Sequence, residues 1–179
     1  MRRLNIHIAC LLVCCCIGKD VFSQVKTSFG DEVATLDGII KAYYDVVTVK
    51  KGGTVSYERD SLLHAPGAAV GMAQYDKKGK VLLKIISLKK FHQLSDSSLQ
   101  ADGFYENEIG RKVERFGAVY HVWSTYESKK TAEGPVEDRG INSIELYFDG
   151  TRFWILSWFF DTENKDRPIP KKYLIKNDA

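Results

Sequence analysis

Cysteine is missing from almost all of this chain: its four cysteines are Cys10, Cys14, Cys15 and Cys16. A domain built from residues 17–179 has no disulfide, no thiol nucleophile and no thiolate metal site. Long apolar runs are also missing. Residues 6–17 are the most apolar stretch, and a membrane-spanning helix needs about 20 residues. No glycine-rich phosphate loop occurs, because Gly52-Gly53 follows a helical stretch rather than a strand. His64, His92 and His121 lack the paired spacing of a metal site, so no metal and no cofactor are expected. Charge of one sign is not in excess either. Lysine and arginine number 26 against 23 acidic residues, and the lysines form no stripe, which argues against nucleic acid as a partner.

What is present begins with a leader. Arg2 and Arg3 precede the short apolar run, and Val21-Phe22-Ser23 supplies small residues before Gln24. This is the pattern of a secretory signal, with cleavage expected between Ser23 and Gln24 and a periplasmic or secreted product. Cys14, Cys15 and Cys16 raise lipidation as the alternative. Val13 or another cysteine stands where a lipidated cysteine normally has Gly, Ala or Ser before it. Arg2, Arg3, Lys19 and Asp20 leave with the leader, so the remainder is nearly neutral. The expected organisation is a signal peptide at 1–23, a flexible leader at 24–34, one domain at 35–175 and a tail at 176–179.

Within that domain, Leu36, Ile39, Ile40, Tyr43, Tyr44 and Val47 recur at helical spacing and predict a core helix over 35–47. A second helix is predicted at 57–64, stopped by Pro66, and a strand at 69–75. Residues 81–86 read as an apolar strand. Ser87 is placed to cap a short helix at 88–94. Residues 103–116 read as a partly solvated strand. Aromatic and β-branched residues fill 117–127 and 139–160, which predicts three long antiparallel strands with an Asp149-Gly150 hairpin turn between the last two.

Helices followed by a twisted antiparallel sheet make an α+β fold. Three pieces, residues 36–47, Leu62-Leu63-His64-Ala65-Pro66-Gly67-Ala68, and the segment from Phe116-Gly117-Ala118-Val119-Tyr120-His121 through Arg139-Gly140-Ile141-Asn142-Ser143-Ile144, resemble the nuclear transport factor 2-like, or SnoaL-like, superfamily with its cystatin-like fold. The likeness is to exported bacterial members without assigned activity. It implies N-terminal helices packed in the concave face of a strongly curved antiparallel sheet. It also implies an apolar cavity between helix and sheet, and a homodimer through the convex face.

Strand alternation sorts the sheet residues into two sets. The more apolar one is assigned inward, giving Tyr120, Ser124, Tyr126, Asn142, Ile144, Trp154 and Trp158 as pocket residues, joined by Tyr43 and Tyr57 from the helices. The other set is assigned to a dimer partner through His121, Trp123, Tyr147, Phe153 and Phe159. A bulge in any strand exchanges the two sets beyond it. The resemblance also implies chemistries to weigh. Isomerases of this group use a protonated acid where Ile144 stands here, and isoleucine cannot donate a hydrogen bond. Dehydratases and cyclases use a His with an Asp, for which His64 and Asp60, four residues apart, are the candidates, with Tyr43 beside them. Asp60 and His64 are spaced equally well for a surface ion pair. Three readings stay open: a noncatalytic binder of a small apolar or aromatic molecule, which leads; an isomerase, dehydratase or hydrolase using the same cavity; and a structural dimerisation module whose cavity is filled.

Overall fold

The computed structural model describes residues 28–177, and the expected leader at 1–23 with its cleavage point lies outside them. Order begins before Thr35. Gly30–Val33 form a 3-10 turn, and Phe29 and Val33 are buried in the core. Arg59 lies over the Phe29 ring at 4.4 Å. The packed domain therefore takes in part of the stretch expected to be a flexible leader.

Helix α1 (Leu36–Val47) forms as its spacing predicts. Thr35 is extended and its Oγ1 accepts the Gly38 N–H at 3.1 Å, which satisfies one first-turn donor. Ile39, Ile40, Tyr43, Tyr44 and Val46 are buried, each aliphatic among them contributing about 1.5–3 kcal/mol. The helix ends because Val49 leaves to exchange two 2.7 Å backbone bonds with Phe104. Helix α2 (Tyr57–Ser61) is shorter than expected. His64 is not helical but opens strand β1 (His64–Tyr75), anchored by the bond from Ile155 N–H to Leu63 O.

Strand β2 (Val81–Ser87) returns along β1, and Ser87 Oγ caps helix α3 (Leu88–Asp102) by accepting the Lys90 N–H. This helix runs past the expected stop at Leu94 because Leu99 still faces apolar neighbours. It ends at Gly103, whose φ of +80° with ψ of 147° is a conformation that glycine alone adopts readily and that turns the chain out of the helix. Then come β3 (Tyr105–Phe116), β4 (Val119–Lys129), β5 (Asp138–Phe148), β6 (Phe153–Thr162) and the short β7 (Lys176–Asn177). The predicted meander β4–β5–β6 is antiparallel. Its Asp149-Gly150 turn has Gly150 at φ +99°. The Asp149 carboxylate accepts from Trp154 Nε1, from the Thr151 hydroxyl and from Arg152 N and Thr151 N, and those bonds hold its pKa well below the usual carboxylate range.

The α+β class stands, but the strongly curved antiparallel cone does not form. The strands lie in one mixed sheet, ordered β2-β1-β6-β5-β4-β3-β7, that is neither strongly curled nor closed. Two pairings are parallel, β1 with β6 and β3 with β7. The cause is the short α2, which delivers the chain into β1 alongside β6 and running the same way, while α3 carries it from one side of the sheet to β3 near the other. The helices bury their apolar faces against one sheet face, around Val122, Ile144, Leu146, Ile155 and Trp158.

A bulge in β6 corrects the expected faces. Leu146 pairs with Ile155 and Glu145 with Ser157, so Leu156 has no partner across the ladder. Ile155 is fully buried and Leu156 is 39% exposed. Before the bulge the alternation is therefore reversed from the expectation. Phe153, assigned to a dimer interface, is in the core, and Trp154, assigned to the pocket, stands on the outer face opposite Tyr147.

Candidate functional site

Between the helices and the inner sheet face lies a cavity of about 250 Å³. Tyr43 and Val47 reach it from α1, Phe91, Ser95 and Leu99 from α3, and Glu106 from β3. The sheet adds Tyr126 and Ser128, Asp138 and Asn142, then Trp158, Phe160 and Thr162. Its wall is aromatic. Trp158 stacks on Phe160 at 5.6 Å and takes the edges of Phe91 at 4.9 Å and Tyr43 at 5.8 Å. A neighbouring cleft shares Leu99, Phe104, Ser128 and Asp138, which places the mouth between the end of α3 and the β4–β5 loop.

Glu106 is the chemically unusual member. It is 8% exposed, and burial raises its carboxyl pKa to about 8, so near neutrality it is mostly the uncharged acid. Among the described residues no side chain hydrogen-bonds that carboxyl. It raises its neighbours in turn. Tyr126 is pushed up to about 12, by burial first and then, after a lowering bond to Thr162, by Glu106. Burial and Glu106 also hold Tyr43 and Tyr44 well above the ordinary tyrosine value. One more polar atom is unmatched, since Trp158 Nε1 is buried with no partner among the described residues. Buried polar groups are normally paired, and Trp158, a residue of the cavity wall, departs from that.

Asn142 begins a hydrogen-bond chain that runs out of the cavity. Its Nδ2 donates to Tyr44 Oη at 3.3 Å, Tyr44 bonds Ser124 Oγ at 2.7 Å, and Ser124 donates to Glu108 Oε1 at 2.7 Å. A serine has one proton, so Tyr44 must be the donor to Ser124. Glu108 is gripped in turn by Arg111 through Nε at 2.8 Å and Nη2 at 2.7 Å, and Arg111 Nη1 reaches Asp37. From Asn142 to Ser124 every donor points toward Glu108. The chain fixes the Asn142 amide and leaves its Oδ1 as the remaining acceptor.

Of the residues expected at a pocket, Tyr43, Tyr126, Asn142 and Trp158 line this cavity. Ser124 and Ile144 are fully buried behind it. Tyr120 packs on Phe153 at 5.0 Å toward the β5–β6 turn. Tyr57 lies elsewhere, edge-on to His92 at 5.3 Å. Trp158 and Phe160 line open space rather than fill it. In the outer set, Trp123, Ser143 and Phe159 form one cross-strand row. Trp123 is covered by the chain's own Tyr173 at 5.5 Å, and His121 Nε2 bonds Ser143 Oγ at 2.9 Å.

His64, Asp60 and Tyr43 are not brought to one cavity. His64 Nδ1 bonds Asp60 O at 3.0 Å and lies 3.4 Å from Asp60 Oδ1. The imidazole lines a different cleft, with Tyr57, Ser61, Pro66 and Gly67. The other Asp60 oxygen takes His92 Nε2 at 2.9 Å, while His92 Nδ1 meets Asp96 at 2.9 Å. Burial lowers the His92 pKa, but the two aspartates outweigh it and the net direction is up. The His92 ring is a clamp between α2 and α3. Among the described residues no group of three or more His, Cys, Asp or Glu is placed to hold a metal ion.

Sequence reasoning missed Glu106, Phe91, Ser95 and Asp138. A strand signal for Glu106 did exist. Phe104, Glu106 and Glu108 alternate at period two, which puts two carboxylates on the face of an aromatic ring.

No protein-family model matches the chain, and no curated protein matches it either. Solved structures do. A protein of unknown function with a cystatin-like fold from Nostoc punctiforme PCC 73102 aligns at 6% identity over 71% of this chain and 87% of its own, with a TM-score of 0.53. The yeast UBP3-associated protein BRE5 aligns at 11% identity over 70% and 92%, TM-score 0.50. An NTF2-like protein of unknown function from Shewanella baltica OS155 aligns at 9% over 71% and 90%, TM-score 0.48. Identities this low bear on the fold alone. The likeness is one of fold, and a distant one: the chain shares the cystatin-like fold of the Nostoc protein, and no particular exported group is singled out.

Proposed function

We propose that the protein binds a compact, largely apolar ring compound in the cavity between α1, α3 and the inner sheet face. The observation that carries this is an aromatic cavity of about 250 Å³ whose wall holds an uncharged buried acid, Glu106. Ligand pockets are mostly apolar with a few placed polar groups. At this volume the ligand is small, of one or two rings, since a cavity of about 150 Å³ already takes benzene. Its polar edge carries a group that tolerates a neutral carboxylic acid; a carboxylate ligand would meet Glu106 as a like charge above pH 8.

A second reading is favoured by the Glu106 pKa. A carboxyl near 8 is suited to proton transfer at neutral pH, which makes Glu106 the general acid or base of an isomerase, dehydratase or hydrolase. Native mass spectrometry of protein from its own host, together with thermal shifts in one- and two-ring compounds, tests the binding. Retained mass or a shift that disappears in Leu99→Trp, which fills the cavity, supports it. No retained mass and no shift, or retention that survives Leu99→Trp, overturns it. Turnover lost in Glu106→Gln while the ligand still shifts the melt distinguishes catalysis from binding alone.

A further inference from the structure

The hairpin at the β2 edge of the sheet is apolar on its exposed face and densely basic at its rim. Val81, Leu83 and Ile85 point the same way and are 54%, 64% and 56% exposed. They pair across the ladder with Tyr75, Ala73 and Gly71, and Gly71 in turn pairs with Phe159, whose ring lies over it. Val70 and Ile86 occupy the opposite, core-facing side, with Val70 fully buried. The outer side of this corner is thus an apolar surface over Val81, Leu83 and Ile85, bounded at Tyr75 by Arg167, which lies 4.4 Å over that ring, and by Asp161, which accepts the Tyr75 hydroxyl.

Beside it stand Lys77, Lys78 and Lys80 at the turn, while Lys84 follows the alternation of Ile86 to the other side of the strand, and Lys89 and Lys90 start α3, the helix packed on that side. Residues 75–90 contain one acid, Asp76, whose Oδ1 is occupied by the backbone N–H groups of Lys78 and Lys80. Among the described residues no ion pair reaches these six lysines, whereas Lys41, Lys112, Lys129 and Lys130 are each paired with a carboxylate. The local excess of positive charge is larger than the +3 of the whole chain.

The geometry points to this hairpin as a docking surface for an anionic lipid bilayer, with Val81, Leu83 and Ile85 entering the headgroup boundary and the turn lysines Lys77, Lys78 and Lys80 holding phosphates beside them. Charge complementarity decides between occupants. A second copy laid edge to edge would bring two unpaired lysine sets together, and edge lysines oppose strand pairing. A negatively charged lipid surface neutralises the same set, and it accepts exposed aliphatic side chains at its boundary.

The test is sedimentation of the full chain with vesicles of phosphatidylcholine alone and with phosphatidylglycerol mixed in. Binding is expected only to the mixed vesicles and is expected to fall as salt screens the lysines. Lys77→Glu, Lys78→Glu and Lys80→Glu together should weaken it on the order of a hundredfold, three lysines being removed from the surface. Leu83→Ser with Ile85→Ser should weaken it while leaving circular dichroism unchanged, and serves if the lysine variant folds poorly. Equal binding to both vesicle types, or binding that survives both variants, assigns attachment to another part of the chain and overturns the proposal. A stable dimer by light scattering that Leu83→Ser with Ile85→Ser dissociates, with no vesicle binding, overturns it in favour of a second copy.

Discussion

Glu106 concentrates the energetic tension of the molecule in one carboxyl. An ordinary glutamate loses its proton near pH 4.5, while the folded protein keeps this one to about 8. Between those values the unfolded chain binds fewer protons than the folded one, so stability falls as pH rises and levels off above 8. Glu106→Gln keeps the shape and removes the ionisation. The variant should be more stable than the parent by about 3 kcal/mol at pH 7 and equal to it near pH 4, measured by urea unfolding across that range. An unchanged pH slope in the variant would show that Glu106 is solvated and charged. Slope remaining near and above pH 6.5 belongs to His92, whose raised pKa gives stability that is complete below its unfolded value and is lost as pH climbs through the folded one.

Elements were legible in the sequence where one periodicity ruled, and their faces were not where a bulge intervened. Helix α1 and the β4–β5–β6 meander follow from spacing and from Asp149-Gly150, because apolar period and turn chemistry agree there. The extra residue at Leu156 cannot be read from Phe153-Trp154-Ile155-Leu156, since all four side chains are large and apolar and either alternation satisfies the pattern. The structure predicts an asymmetry that the sequence does not. Ile155→Ala should cost about 3 kcal/mol and Leu156→Ala less than about 0.5 kcal/mol in denaturant unfolding. Comparable losses at the two positions would mean that the bulge lies elsewhere in β6. The site was legible in part, through Tyr43, Tyr126, Asn142 and Trp158. Glu106 escaped because a charged residue in a charged strand reads as solvated, and only the tertiary approach of α1 and α3 takes water away from it.

At the scale of the whole molecule, the last residues act as a strap over the outer face. Tyr173 covers Trp123 and accepts the Thr125 hydroxyl at 2.6 Å, and Ile175 O takes the Arg111 N–H. A chain ending at Arg167 should lose about 2 kcal/mol of stability, with Trp123 fluorescence shifted toward that of exposed indole. An unshifted spectrum would mean that Trp123 is covered from another side. The parallel pairing of β1 with β6 has a different consequence, one of timing. These strands lie about ninety residues apart in the chain, a separation that slows folding. A ribosome delivers the helices and the β1–β2 hairpin long before β6 exists to receive them. Until the C-terminal third emerges, the basic, apolar hairpin is without its neighbour, and a folding chain in that state needs either speed or a companion to keep it from other strands.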